Sequence, residues 1–171
     1  FGYKAGLGSG IYFWEGNCNR ALEYAKQLKE YPSRSISKTP IKKPAVLGAV
    51  ISLGFCLDLL ESESINKVKE AFLTMDELSD ISGLALPKNV LGKDRVLRRL
   101  DCAVIESLHE SLDSTDGFYY DSVRGMFPEG ERLYTDAGFL KHNHIQLCIR
   151  NPNCIKGYFL PRNLNGEHKK V

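Results

Sequence analysis

The N-terminal part of the chain carries an apolar segment followed by an amphipathic one. Residues 8–14 read Gly-Ser-Gly-Ile-Tyr-Phe-Trp, and their β-branched and aromatic side chains predict a strand. Asn17 is a candidate N-cap, and the apolar positions after it recur at helical spacing until Pro32 ends the pattern. The sequence therefore predicts a strand over residues 8–14 and a helix over residues 18–30.

The rest of the chain predicts two more helices and four more strands. One helix is expected to begin with Ser64 as its N-cap and the other to cover residues 96–112, because apolar side chains recur every three or four positions in both. Helices and strands are partly segregated along the chain, which favours an α+β fold with a mainly antiparallel sheet. The strand patterns cover residues 45–53, which are expected to form a central strand, and residues 119–127, 145–150 and 155–160.

Composition and charge are those of an ordinary globular protein. The chain has 171 residues, of which 43% are hydrophobic and 26% are charged, and we expect one domain over residues 1–171. Its net charge of +2 gives no electrostatic reason to expect a nucleic-acid partner. The longest apolar run, residues 44–60, is interrupted by polar residues and falls short of the ~20 residues that span a membrane. It predicts a buried strand, and no membrane partner is expected.

Two groups of reactive side chains have an ordinary structural interpretation. None of the five cysteines forms a Cys-x-x-Cys pair, so we expect free, buried thiols in a reducing cytoplasm and a cytoplasmic protein. Cys148 and Cys154 flank a predicted turn at residues 151–153, and a metal or disulfide role for these two is the alternative. Glu106 and His109 lie three apart on the third predicted helix, where a pair on the surface is expected rather than a functional dyad.

The predicted strand and helix within residues 8–25 resemble the second signature of the poly(ADP-ribose) polymerase-like, or diphtheria-toxin-type, ADP-ribosyltransferases. In that family a Gly-x-Gly-x-Tyr-Phe strand leads into a helix that begins Ser-Ala-x-Tyr, and the tyrosine ring stacks on the nicotinamide of NAD. Three further stretches are similar to the family in the same order, and all four together cover a little over a third of the chain. These stretches are residues 47–59, residues 121–125 (Asp-Ser-Val-Arg-Gly) and residues 143–159.

The resemblance implies an ADP-ribosyltransferase-like α+β fold, in which a split and mainly antiparallel sheet surrounds an NAD cleft. Residues 61–114 have no counterpart in the family's short loop, and we expect them to form a helical insertion. Two departures from the family pattern bear on activity. The family's first signature, a strand that ends in histidine and glycine, is expected to lie N-terminal to residue 1, and His144 stands where the family carries its catalytic glutamate.

The resemblance implies four residues that bind NAD. Gly10 and Tyr12 lie in the strand of the second signature, and Tyr12 is expected to form the wall on which nicotinamide stacks, with an ordinary core aromatic as the alternative. Tyr24 is the candidate for a second ring, one residue beyond the family's spacing. Arg20 stands where the family has a serine that contacts nicotinamide, and its alternatives are to bind a diphosphate oxygen or to solvate the helix N-terminus.

The candidate catalytic residues are Tyr12, His144, Glu129 and Glu131. His144 can accept a hydrogen bond from a ribose hydroxyl or act as a general base, but it cannot supply the negative charge of a carboxylate. Glu129 and Glu131 lie in a Pro- and Gly-containing loop, and one of them is hypothesised to supply that carboxylate, with a solvated turn as the alternative. His142 and His144 have the spacing of zinc ligands, but no third ligand is evident in the sequence, so no metal is expected.

The resemblance implies an enzyme that uses NAD as its substrate. Because His144 replaces the family's glutamate, the leading hypothesis is a mono-ADP-ribosyltransferase, of effector or toxin type, that makes a single transfer to a macromolecular acceptor. The sequence does not distinguish a protein acceptor from a nucleic acid. The alternatives are an NAD glycohydrolase, which uses the same pocket with water as the acceptor, and a non-catalytic module that binds NAD or ADP-ribose.

Overall fold

The structure is a computed structural model that describes residues 3–34, 39–91, 96–116 and 119–162. The helices within these ranges are α1 (Cys18–Glu30), α2 (Ser62–Ser82) and α3 (Arg99–Asp116). The strands within them are β1 (Tyr3–Ala5), β2 (Gly8–Trp14), β3 (Gly48–Ile51), β4 (Cys56–Asp58), β5 (Val90–Leu91), β6 (Val96–Leu97), β7 (Ser122–Phe127), β8 (His144–Ile149) and β9 (Ile155–Phe159). Together these elements make a mixed α/β fold.

The main sheet has five strands in the order β1-β2-β8-β7-β4. All neighbours run antiparallel except β4 and β7, which are parallel, so the predicted antiparallel character is confirmed. The strand β8 lies in the middle, where Cys148 faces Tyr12 of β2 on one side and Val123 of β7 on the other. The strands β3 and β9 form a separate antiparallel pair, and β5 pairs with β6.

Each face of the main sheet packs against a different layer, because side chains alternate between the two faces of a strand. On one face Leu57, Val123 and Cys148 form a buried core with Ile105 of α3. On the other face Leu147 and Ile149 are buried, and Cys154 with the partly buried Ile51 and Ile155 packs against them from the β3–β9 side. The five cysteines are free thiols, and Cys148 and Cys154 are buried.

The first two predicted elements are confirmed with their ends. The strand β2 covers residues 8–14 and α1 covers residues 18–30. The side chain of Asn17 caps α1 as expected, since its Oδ1 accepts a hydrogen bond from the backbone N–H of Arg20 at 3.0 Å. Local signals were sufficient here, because the glycine-to-aromatic run and the N-cap lie next to the residues whose structure they determine.

The predicted ends of the other two helices were wrong. The helix α2 begins at Ser62 with Glu61 in the N-cap position, rather than after Ser64, and it continues to Ser82. Gly83 ends it in the left-handed conformation at φ 67°, which glycine adopts without strain. The helix α3 begins three residues later than predicted, because residues 96–97 pair with β5 instead, and it extends past residue 112 to Asp116.

Residues 44–60 do not form the single buried, central strand that their apolar run predicts. The run contains two short strands in different sheets, β3 beside β9 and β4 beside β7. Gly54 separates them at φ 61°, with its α-carbon so close to the Asp121 carboxylate that a side chain has no room. Leu57 in β4 is fully buried, whereas Val50 in β3 is 58% exposed. An apolar run alone therefore did not identify which strand would be central.

Candidate functional site

Residues from four parts of the chain meet where β2, α1 and β8 come together with the loop that follows β7. The centroid of the Trp14 ring lies 5.1 Å from that of Tyr24 and 6.3 Å from that of His144. The guanidinium carbon of Arg20 lies 6.0 Å from the centroid of the Tyr24 ring. We call this group the Trp14 site, and its members are Trp14, Arg20, Tyr24, Glu129 and His144.

The secondary structure explains why these side chains converge. Arg20 and Tyr24 lie four residues apart on α1, so they share a face of the helix. Trp14 of β2 is directly opposite Gln146 of β8, and His144 lies two residues before Gln146 on the same face of the sheet. Of the seven positions implied to bind NAD or to act in catalysis, four thus belong to one site: Arg20, Tyr24, Glu129 and His144.

Arg20 is a buried cation with one carboxylate partner. The residue is 6% exposed, and its Nη2 donates a hydrogen bond to Glu129 Oε2 at 3.0 Å. Within the described part of the chain, its Nε and Nη1 have no hydrogen-bond partner, and the same is true of the buried Nε1 of Trp14. Because buried N–H groups are almost always paired in proteins, three such donors in one site call for acceptor atoms from elsewhere.

Glu129 belongs to the loop between β7 and β8, which is shaped by its own hydrogen bonds. The backbone N–H of His142 donates to the carbonyl of Glu129 at 2.9 Å, and the N–H of Lys141 donates to that of Glu131 at the same distance. The side chains of the two glutamates therefore have different partners. Glu129 reaches Arg20, while the side chain of Glu131 is 85% exposed and pairs with Lys141 at 3.0 Å. Of the two hypothesised carboxylates, Glu129 is the one at the Trp14 site.

His144 is buried and held in one tautomer. Its Nδ1 lies 2.6 Å from the carbonyl oxygen of His142, and a carbonyl oxygen only accepts, so Nδ1 carries the proton. Its Nε2 then accepts a hydrogen bond from the side-chain amide of Gln146 at 2.8 Å. The imidazole also stacks on Phe127, with ring centroids 5.9 Å apart. As arranged, the lone pair of Nε2 is occupied, and His144 acts as a general base only if Gln146 turns away.

Tyr12 and Gly10 lie on the same strand as Trp14 but have contacts of their own. The Tyr12 hydroxyl donates to the carbonyl of Gly8 at 2.6 Å and accepts from the N–H of Leu7 at 3.1 Å. Its ring packs against the core that contains Cys148. A Cβ atom at Gly10 would lie 2.5 Å from the Cys148 sulfur, so the close approach that requires glycine there is made by the neighbouring strand β8.

Sequence reasoning missed Trp14 as the centre of the site. Two signals pointed to it: it is the only tryptophan of the chain, and it lies two residues after Tyr12 and hence on the same face of β2. It also missed Arg98, whose guanidinium carbon lies 4.4 Å from the centroid of the Phe127 ring. No sequence pattern indicated that contact, because it joins the start of α3 to the end of β7.

The expected surface pair of Glu106 and His109 was wrong. Glu106 Oε1 accepts hydrogen bonds from the N–H of Ser9 at 2.6 Å and from Arg150 Nη1 at 2.7 Å, and so fixes the start of β2. Burial raises the pKa of Glu106, but the bonds from Arg150 and Ser9 outweigh it and hold that pKa below its ordinary value. His109 is 3% exposed, donates from Nδ1 to the carbonyl of Ile105, and has its pKa lowered by burial.

In the described ranges there is no group of three or more His, Cys, Asp or Glu side chains arranged to hold a metal ion. Among the described helices, none combines the length and the apolar character that crossing a membrane requires.

Comparison with known proteins adds no relative. No protein-family model matches the chain, and no curated protein or solved structure shows a significant similarity to it. The resemblance to ADP-ribosyltransferases therefore depends on the quoted residues alone.

Proposed function

We propose that the protein has an ADP-ribosyltransferase-like fold, binds NAD at the Trp14 site and transfers one ADP-ribose group to a macromolecular acceptor, a protein or a nucleic acid. The observation that carries the proposal is a continuous set of contacts: the rings of Tyr24 and His144 lie beside that of Trp14, Arg20 lies over the Tyr24 ring, and Glu129 bonds to Arg20. Arg20 and Glu129 are 109 positions apart in the sequence, so local structure does not account for their contact. Breaking the nicotinamide–ribose bond needs a flat surface for nicotinamide and a group that stabilises the sugar, and the aromatic rings and the Glu129 carboxylate are side chains of these two kinds.

The chemistry assigns a role to each kind of side chain. When the bond between nicotinamide and C1 of the ribose breaks, the ribose gains oxocarbenium character and neutral nicotinamide leaves. The rings of Trp14 and Tyr24 offer flat surfaces for the pyridine ring. A carboxylate near the sugar stabilises the developing positive charge, and Glu129 is the acidic residue of the site. The acceptor's nucleophilic atom then attacks C1 and gives up its proton.

His144 supports a second candidate, a module that binds NAD or ADP-ribose without turnover. It replaces the family's glutamate, and its Nε2 is occupied by the Gln146 amide. Once Gln146 moves, the Nε2 of a histidine held this way can accept a hydrogen bond from a ribose hydroxyl, but the imidazole brings no negative charge. The two candidates differ in one respect: the transferase requires the Glu129 carboxylate for chemistry, whereas the module does not.

The test uses NAD labelled in its adenosine half, with the protein itself and added cell protein and RNA as acceptors. We expect label on a macromolecule, and Glu129→Gln is expected to lower the transfer rate roughly 10²-fold or more, the scale of one lost charge in a preorganised site. Glu131→Gln is the matched control, because it makes the same change in the same loop at an exposed position that faces Lys141. It is expected to keep the wild-type rate.

The other outcomes decide between the alternatives. Free ADP-ribose without labelled macromolecule indicates a glycohydrolase that uses the same pocket. NAD binding without any turnover indicates the non-catalytic module. If the folded protein neither binds nor consumes NAD, the proposed function is wrong. If Glu129→Gln and Glu131→Gln retain equal rates, the transferase assignment of Glu129 is wrong.

A further inference from the structure

Three hydrogen-bond donors at the Trp14 site are buried, and the structure's described residues offer them no acceptor. They are Nε and Nη1 of Arg20 and Nε1 of Trp14. A buried donor without an acceptor is costly, so these donors call for acceptor oxygens from outside the described residues. Every unpaired group is a donor and Arg20 is cationic, so an oxyanion is the class of partner that would satisfy them.

Glu129 bonds to the guanidinium nitrogen of Arg20 that lies between the two unpaired ones. In the planar group Nη2 shares one edge with Nε and the other edge with Nη1. Glu129 contacts Nη2 through a single oxygen at 3.0 Å, so one donor stays unpaired on each side of it. A carboxylate placed for strong binding would use two donors of one edge. A group with several oxygens, such as a phosphate or diphosphate, can accept hydrogen bonds from both nitrogens of one edge, whereas Glu129 accepts from only one.

The charges favour exchange over simple addition. Arg20 and Glu129 are opposite in charge, so an anion that joined the intact pair would lie directly beside the Glu129 carboxylate and be repelled by it. Arg20 also lies in the first turn of α1, which contains no acidic residue, and the positive end of the helix dipole favours an anion there. An incoming oxyanion is therefore stabilised when Glu129 leaves.

Glu129 is the partner that can leave. Its side chain is 29% exposed, whereas that of Arg20 is only 7% exposed. The next residue, Gly130, has φ 88°, a conformation that glycine enters and leaves at low cost. The Glu129 carboxylate can therefore turn away from Arg20 while the guanidinium stays in place.

We propose that the Arg20–Glu129 ion pair is an exchangeable latch, in which an oxyanion, of the phosphate or diphosphate class, replaces Glu129 on Arg20 and releases that carboxylate into the Trp14 site. The identity of the natural ligand rests on the proposed function: if the protein binds NAD, the oxyanion is the diphosphate of NAD. It adds that binding the diphosphate frees the carboxylate that the sugar needs. In the absence of ligand, Glu129 is held away from chemistry.

The test measures diphosphate binding by the fluorescence of Trp14, the only tryptophan in the chain, at constant ionic strength. Inorganic diphosphate is the probe, and wild type is expected to bind it with a change in emission. Glu129→Gln removes the competing charge and is expected to bind diphosphate roughly five- to tenfold more tightly, the effect of losing one partly exposed ion pair. Glu131→Gln is expected to bind like the wild type.

Arg20 variants locate the binding. Arg20→Gln is expected to abolish the emission change, and Arg20→Lys to weaken it, because lysine keeps the charge but not the planar fork. If either Arg20 variant fails to fold by circular dichroism, the comparison of Glu129→Gln with Glu131→Gln still decides the question. The latch is wrong if Glu129→Gln binds diphosphate no more tightly than wild type, if wild type and Glu129→Gln both fail to bind it, or if folded Arg20→Gln binds it unchanged.

A further pair of ligands separates the latch from the proposed function. NAD carries a diphosphate, whereas nicotinamide riboside has the same pyridine and sugar without it. If the variants bind free diphosphate in the expected order of affinity but NAD does not bind, the latch is supported and the proposed NAD function is wrong. If NAD is turned over, and Glu129→Gln leaves the affinity for diphosphate unchanged, the function stands and the latch fails. Equal binding of NAD and the riboside also counts against the latch.

Discussion

Replacing Gly10 with alanine tests how closely β2 and β8 approach each other. A Cβ atom at this position would lie 2.5 Å from the Cys148 sulfur and 2.7 Å from the carbonyl oxygen of Ile149. The sulfur is part of the buried core, and the carbonyl belongs to the backbone of the central strand. Neither can yield without moving β8, so Gly10→Ala is expected to destabilise the protein.

The size of the effect follows from known costs of overpacking. Extra atoms in a packed core cost about 1–3 kcal/mol, and the upper end applies here because one obstructing atom is backbone. Gly157→Ala makes the same substitution in β9, where nothing lies within 4 Å of the new Cβ. It is expected to be neutral or to stabilise by up to ~1 kcal/mol, since alanine reduces the conformational entropy of the unfolded chain.

Urea unfolding followed by circular dichroism measures both variants. With a dependence of about 2 kcal/mol per molar urea, the midpoint of Gly10→Ala is expected to fall by about 1–1.5 M relative to wild type. The midpoint of Gly157→Ala is expected to stay the same or to rise slightly. Equal midpoints for the two variants would refute the reasoning, because only the contact with β8 distinguishes them.

Two further predictions concern α3. Glu106→Ala leaves the N–H of Ser9 and the Arg150 guanidinium without their shared acceptor, and a loss of about 2 kcal/mol is expected in the same unfolding assay, against less than ~0.5 kcal/mol for the exposed control Glu110→Ala. For His109, burial lowers the pKa below its ordinary 6.5, so this histidine binds a proton more readily in the unfolded chain than in the native protein. The stability from neutral His109 is therefore present above about pH 6.5 and is lost as the pH falls, by at most about 1.4 kcal/mol per pH unit. His109→Leu is expected to flatten the dependence between about pH 7 and 5, and an unchanged slope would contradict this.

Local sequence signals predicted some elements well because the determining residues were neighbours. The strand β2 and helix α1 depend on the run at residues 8–14 and on the cap at Asn17, and both were predicted with their ends. The start of α3 depended on a partner instead, since residues 96–97 pair with β5. The same holds for β3, whose apolar sequence was compatible with a central strand but whose one partner among the described strands is β9.

The candidate site shows the same division. The period of two along β8 explains why His144 and Gln146 share a face, and the helical period explains why Arg20 lies near Tyr24. The contact of Arg20 with Glu129 was not predictable, because it depends on how the loop after β7 folds back on itself. Tyr12 could be assigned to a strand, but the contacts of its side chain could not be predicted, since its hydroxyl bonds to the backbone of the turn before β2.

The middle position of β8 has a consequence for synthesis of the protein. The strand β2 is made before β8, and among the described strands its neighbours are only β1 and β8. At usual rates of translation, on the order of ten seconds pass between the emergence of β2 and that of β8 from the ribosome. During that time the edge of β2 that later pairs with β8 has no partner strand. An unpaired edge on a strand with aromatic side chains is a binding target for chaperones. Any activity of this protein therefore begins only after residue 149 has been made and the sheet has closed.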